Sequence, residues 1–180
     1  MLLITIPDTE LWDETNQEFV YVKRQTLQLE HSLVSISKWE SRWRKRFFSK
    51  EEKTNEETLD YIRCMTVTPN VRSEVYRCLT AIDIQRINAY IEAKLTATSV
   101  PQQNVKGGGR EPVTSELIYY WMVSLGIPFE CQKWHLSRLL ALIEICNYKN
   151  TPPKKRSRRE ILSQNAALNA ARRQKLNTKG

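Results

Sequence analysis

Any chemistry in this 180-residue chain would have to come from few side chains. It has two histidines, His31 and His135, and four cysteines, Cys64, Cys78, Cys131 and Cys146. Cys131 and His135 stand four apart. On a helix they would share a face, where they could ligate a metal or pair as nucleophile and base. A structural zinc site needs four ligands, and the other cysteines lack the paired spacing that marks one. The two residues therefore read as packing and hydrogen-bonding groups. Scattered cysteines in a cytosolic chain read as small buried hydrophobes rather than disulfide partners. Glu51, Glu52, Glu56, Glu57 and Asp60 crowd a predicted helix start, where they suit the macrodipole better than acid–base work. Gly107-Gly108-Gly109-Arg110 lacks the Gly-Lys-Ser/Thr ending of a phosphate loop and follows no strand, so it reads as a flexible loop. These residue types point to no enzyme, metal or cofactor.

Charge is more informative. The chain holds 28 Lys and Arg against 20 Asp and Glu, a formal net charge of +8. Nine of the basic residues lie after residue 150: Lys154, Lys155, Arg156, Arg158, Arg159, Arg172, Arg173, Lys175 and Lys179. Glu160 is the one acid there, so the first 150 residues carry 19 of each sign and no net charge. This excludes a uniformly basic surface and predicts a neutral body with a basic arm. Clusters of this kind serve nucleic acid or acidic protein surfaces. No aromatic follows Tyr148, so stacking on single-stranded bases is not supported.

The elements that would carry these residues follow from periodicity. Leu2, Ile4 and Ile6 alternate, as do Leu27 and Leu29, and Phe19 to Val22 are apolar on both sides. With a hairpin loop at Asp13–Gln17, residues 1–31 read as a small antiparallel element of about three strands. The period then becomes helical. Ser37 with Glu40 reads as a capping box ahead of a stripe of Ile36, Trp39, Trp43 and Phe47. Thr54 with Glu57 opens a second helix, which Pro69 should stop, and Asn70 is placed to cap a short third one. Thr80 with Asp83 opens a fourth. Residues 96–113 read as a flexible loop. Thr114 or Ser115 starts a fifth helix, ended by Gly126 and Pro128. A sixth segment, from about Phe129 to Tyr148, is apolar nearly all round and reads as one core helix. The expected fold is mainly α (α+β): a β element at 1–31, about five helices at 32–150, and a basic helical arm at 151–180. In the arm, Ser157 with Glu160 reads as a capping box before an Ala-rich run.

Two sets of residues suit a partner surface. Trp39 and Trp43 sit among five cations, and Trp and Arg anchor interfaces, although core packing competes for the same residues. The arm offers Lys154, Lys155, Arg156, Arg158, Arg159, Leu168, Arg172, Arg173 and Lys175, for docking on another protein, on a second copy of the chain, or on nucleic acid. The start of the chain lacks the basic residues of a secretory signal, and the longest apolar run, Leu117–Ile127, is too short to span a bilayer. A cytosolic protein without membrane contact is expected.

Four runs carry a family resemblance: Leu29–Ser41 (Leu-Glu-His-Ser-Leu-Val-Ser-Ile-Ser-Lys-Trp-Glu-Ser), Leu59–Thr66 (Leu-Asp-Tyr-Ile-Arg-Cys-Met-Thr), Ile127–Leu136 (Ile-Pro-Phe-Glu-Cys-Gln-Lys-Trp-His-Leu) and Asn165–Arg173 (Asn-Ala-Ala-Leu-Asn-Ala-Ala-Arg-Arg). Nearly the whole chain resembles small proteins of the tail-gene module of long-tailed double-stranded DNA bacteriophages. The resemblance implies a non-enzymatic tail assembly chaperone in the host cytoplasm, engaging the tape-measure protein, tail tube subunits or both. A tail terminator or connector carried in the virion is the second role it implies. A small nucleic-acid-binding protein acting through the arm is the alternative from another class.

Overall fold

The structure is a computed structural model that describes residues 1–13, 17–98, 112–151 and 158–177. Four strands open it: β1 (Leu2–Ile6), β2 (Thr9–Asp13), β3 (Glu18–Val22) and β4 (Gln25–Leu29). They pair antiparallel as β1–β4 and β2–β3, so the expected three-stranded element is two two-stranded ladders. One register runs through both, from Leu2 opposite Leu29 and Ile6 opposite Gln25 to Thr9 opposite Val22 and Asp13 opposite Glu18. Together they form a single long hairpin with one interruption. The interruption falls at Pro7–Asp8, where Pro7 has no N–H to give to a ladder. Asp8 bridges the gap: its Oδ1 accepts the Arg24 N–H and the Tyr21 hydroxyl, each at 2.9 Å. These bonds hold the Asp8 carboxyl below its usual range, the Arg24 amide first.

The helices follow as α1 (Leu33–Trp43), α2 (Asn55–Met65), α3 (Ser73–Arg77), α4 (Ala81–Glu92), α5 (Ser115–Ser124) and α6 (Leu136–Asn150). The caps of α2 and α4 are the expected boxes, Thr54 with Glu57 and Thr80 with Asp83. Elsewhere tertiary pairing moved the boundaries. α1 starts at a Ser32–Ser35 box, five residues before the expected Ser37, because the chain leaves β4 already extended and Ser32 accepts the Ser35 amide. Arg44 takes a left-handed conformation and ends α1, so Phe47 lies beyond it. α2 ends at Met65, before Pro69, because the chain that follows pairs with β4: Glu30 donates to the Met65 carbonyl and Val67 to the Gln28 carbonyl. Asn70 caps nothing. It sits at φ 55°, and Arg72 precedes α3 without a side-chain cap. The segment expected as one helix from Phe129 is broken into a 3-10 turn (Phe129–Lys133) and α6, because Leu136 donates to the His31 carbonyl at 2.7 Å and His135 bridges to Ser32.

The core lies between the β1–β4 ladder and the helices. Ile4, Ile6, Leu27 and Leu29 are fully buried with Leu33, Ile36, Ile118, Met122 and Leu139. The strands and helices of the body thus share one hydrophobic core. Two compact units result, Met1–Tyr148 and Lys149–Gly180, the second containing α7 (Arg158–Leu176). Most of the 96–113 loop and the Ser157–Glu160 box lie outside the described residues.

α5 ends in a Schellman motif. Gly126 donates to Val123 and Ile127 to Met122, with Gly126 at φ +65°. A Cβ at Gly126 would meet nothing, so a substitution there is opposed by backbone strain alone. Gly126→Ala is expected to cost about 1 kcal/mol and Gly126→Asn less, since asparagine tolerates the left-handed region. Urea denaturation of the two variants checks the order.

Candidate functional site

The two histidines meet. His31, at the end of β4, and His135, just before α6, stand edge to face with ring centroids 5.2 Å apart, and both are buried. His31 Nδ1 lies 2.5 Å from the Tyr61 hydroxyl of α2. His135 Nε2 lies 3.1 Å from the Tyr90 carbonyl of α4, so this nitrogen carries the proton. Nδ1 of the same ring then accepts from Ser137, whose amide and hydroxyl lie at 3.3 and 2.9 Å. Tyr90 in turn donates to Glu30 at 2.8 Å, and Glu30 pairs with the N-terminal amine of Met1 at 3.0 Å. Each group is matched to a neighbour that sets its orientation. Burial, with His135 alongside, lowers the His31 pKa to about 4, and burial also lowers that of His135. The Tyr61 and Tyr90 hydroxyls are pushed up by burial, so both remain protonated donors at neutral pH.

This arrangement satisfies polar groups at a crossing of elements. Cys131 lies in the 3-10 turn and His135 after it, so the two do not share the helix face expected for a metal or nucleophile pair. Burial pushes the Cys64 thiol up, away from the reactive thiolate. All four cysteines are free, and among the described residues no three His, Cys, Asp or Glu side chains gather as a metal site would need.

The carboxylates at the start of α2 divide by burial. Glu51, Glu52 and Glu56 are exposed, but Glu57 and Asp60 are buried. Glu57 accepts the Thr54 amide at 2.8 Å and Lys45 Nζ at 2.5 Å, and the lysine bond leads in holding its carboxyl below the usual range. Asp60 accepts Arg42 on one oxygen and the Trp43 indole on the other at 2.8 Å. Glu40, which sequence reasoning placed only in a cap, is buried and joins two distant segments. One oxygen takes the Phe47 amide and the other the Ser115 amide at the start of α5, both at 2.8 Å.

Trp39 is 1% exposed, and its indole N–H donates to the Glu57 carbonyl at 2.9 Å. It stacks near Trp43 and meets Phe47 edge to face at 5.4 Å, under the ammonium of Lys53. Trp39 therefore has no surface to offer a partner, and Trp43 is half-buried. Of the arm residues, Lys154, Lys155 and Arg156 lie outside the described residues. Arg158, Arg159, Leu168, Arg172, Arg173 and Lys175 are all on α7 and all exposed. The structure thus separates the two expected partner sets, one inside the body's packing and one on the arm.

A surface that sequence reasoning missed lies on the hairpin. Trp12, Phe19 and Tyr21 are 46, 70 and 51% exposed, on the outward face of β2–β3. The signal was present: across the Asp13–Gln17 loop, Trp12 pairs with Phe19 and shares the face of Tyr21. Comparison with protein-family models, curated proteins and solved structures finds no match.

The histidine pair makes stability depend on pH. The ordinary histidine pKa of 6.5 applies to the unfolded chain and about 4 to folded His31, so the unfolded state binds more protons between them. The His31 contribution is intact above pH 6.5, declines as pH falls, and changes no further below 4. The loss is about 3 kcal/mol over this window. Urea midpoints should fall from pH 7 to 5, before most carboxylates titrate, and His31→Gln should flatten that slope.

Proposed function

We propose that this chain is a non-enzymatic protein of phage tail morphogenesis, a tail assembly chaperone acting in the host cytoplasm on the tape-measure protein and tail tube subunits. The carrying observation is α7, a 19-residue helix whose described side chains are all exposed and which holds cations toward both ends. Ile161, Leu162, Leu168 and Leu176 are 44, 61, 49 and 69% exposed. At 100° per residue they fall within an arc of about 120°. A helix with an apolar arc and flanking cations suits the helix-in-groove or helix-on-helix recognition that a long helical client requires. The resemblance of the Asn165–Arg173 run to phage tail-module proteins supports the same reading, because that run is the centre of the arm. The buried histidines and the carboxylates of Glu40, Glu57 and Asp60 are engaged in hydrogen bonds that join elements of the body, which fits a role without bond chemistry. No helix among the described residues is long and apolar enough to cross a membrane.

Two measurements test the reading. Mass spectrometry of purified virions should find the chain absent, whereas a fixed copy number would make it a virion terminator or connector. A chain ending at Asn150 should retain the body's thermal transition yet lose capture of the tape-measure protein in a pull-down. Undiminished capture would remove the arm from the mechanism. DNA binding that weakens steeply with salt would favour the nucleic-acid alternative, since phosphate contacts release counterions.

A further inference from the structure

Each strand of the hairpin has one edge paired in its ladder and an outer edge whose backbone groups need other partners. On three strands the outer edge is met. Arg86 donates to the Leu3 carbonyl of β1 at 3.3 Å, and Arg77 to the Trp12 carbonyl of β2 at 3.5 Å. The chain after α2 runs along β4, where Val67 donates to the Gln28 carbonyl and Gln28 to the Thr68 hydroxyl, each at 2.8 Å. β3 is the exception. Among the described residues its backbone exchanges hydrogen bonds only with β2. The strand, Glu-Phe-Val-Tyr-Val, holds no proline and no lysine, the usual guards of an open edge.

The groups left on that edge follow from the ladder. Opposed residues in an antiparallel pair turn their backbone groups either toward each other or both away. In β1–β4, Leu3 and Gln28 oppose each other and both turn outward, to Arg86 and to Val67 and Thr68. In β2–β3 the Trp12 carbonyl turns outward to Arg77, so the groups of Phe19 opposite it turn outward on the other side. Those of Tyr21, two residues on, do the same.

We propose that the outer edge of β3 pairs antiparallel with β3 of a second copy of the chain, about a two-fold axis at Val20. Phe19 and Tyr21 flank Val20, so Phe19 of each copy lies opposite Tyr21 of the other, and every outward amide and carbonyl of the two residues finds a partner. The edge is its own complement, and a two-fold contact asks for nothing else. The same register sets the Phe19 and Tyr21 rings of the two copies opposite one another, as a cross-strand aromatic pair. Charge gives the direction. Glu18 begins the strand, and Lys23 and Arg24 follow its end, with the one carboxylate of Asp8 near both. Glu18, Lys23 and Arg24 are exposed, and none has an ion pair among the described residues. Antiparallel pairing brings Glu18 of each copy beside Lys23 of the other, whereas parallel pairing would set like charges together. The product is a four-stranded sheet with β2 at both rims. Arg77 already takes a rim acceptor, so assembly closes at the dimer. The inference uses only this chain and stands apart from the tail-assembly reading.

The test combines sedimentation velocity of the full chain over a wide concentration range with amide hydrogen exchange at both ends of that range. A dimer should form as concentration rises, and exchange of the Phe19 and Tyr21 amides should slow with it. Phe19→Pro removes an edge N–H without taking a bond from β2, and Phe19→Ala removes the ring but keeps the N–H. The proline variant should stay monomeric at concentrations where the alanine variant still pairs. Glu18→Lys and Lys23→Glu, both at exposed positions, should each weaken pairing about fivefold. Joined in one chain they should restore it, because each copy then offers the swapped charges to the other. These charge variants carry the test if circular dichroism shows the proline variant unfolded. A wild-type chain monomeric at every concentration would overturn the proposal. So would a dimer in which the Phe19 and Tyr21 amides exchange as fast as in the monomer, or a double charge variant that pairs no better than the single ones. None of these outcomes bears on whether the chain engages phage tail proteins.

Discussion

The body depends on what happens at three consecutive residues, Glu30, His31 and Ser32. Here β4 ends and α1 begins, and the backbone must stay hydrogen-bonded as the chain passes from half-buried Glu30 to buried His31 and Ser32. Glu30 gives its amide to Met65 at the end of α2, the His31 carbonyl takes Leu136 at the start of α6, and Ser32 caps α1 while bridging to His135. The side chains extend the same demand. His31 turns to Tyr61, Glu30 to Tyr90 and the N-terminal amine, and Ser35 to Tyr61 and the Ser32 carbonyl. Four helices and the hairpin are thereby referenced to one point. Because each group has a partner, the histidines can be buried neutral, and burial lowers their pKa values.

The remaining buried charges obey the same rule at a second level. Glu40, Glu57 and Asp60 sit under the α1–α2 packing, yet each has backbone or cationic donors. Lys45 and Arg42 reach them from more exposed positions, so the charge is neutralised without burying the cation fully. The body carries equal numbers of acids and bases. Its inward-facing charges are spent on joining α1, α2 and α5.

Charge left on the outside is arranged differently. On α7, cations stand beside exposed apolar side chains, and on the outward face of the β2–β3 ribbon Trp12, Phe19 and Tyr21 stand beside Glu10. Phe19 and Leu176 leave 70 and 69% of their surface in water, so little of their apolar area is buried in the elements that carry them.

Much of the fold was legible in the chain order. The alternation of Leu2, Ile4 and Ile6, the Thr54 and Thr80 boxes, and the Gly126–Pro128 stop are local signals, and locality made them readable. The mainly helical α+β class and the concentration of cations after residue 150 followed from the same local reading. Other features needed the tertiary structure because their causes are distant. Ser32 prevailed over Ser37 as a cap, Pro69 had no helix left to stop, and α6 was cut from its 3-10 turn, all because segments far apart in sequence pair with the strand at 28–32. Trp39 suited a core better than an interface from its spacing, and the packing of α1 on α2 placed it inside. The sequence by itself determined where charge and local periodicity lie. The tertiary structure decided which polar groups are buried and which apolar ones are left in water, since burial is a property of neighbours that the order of residues does not contain.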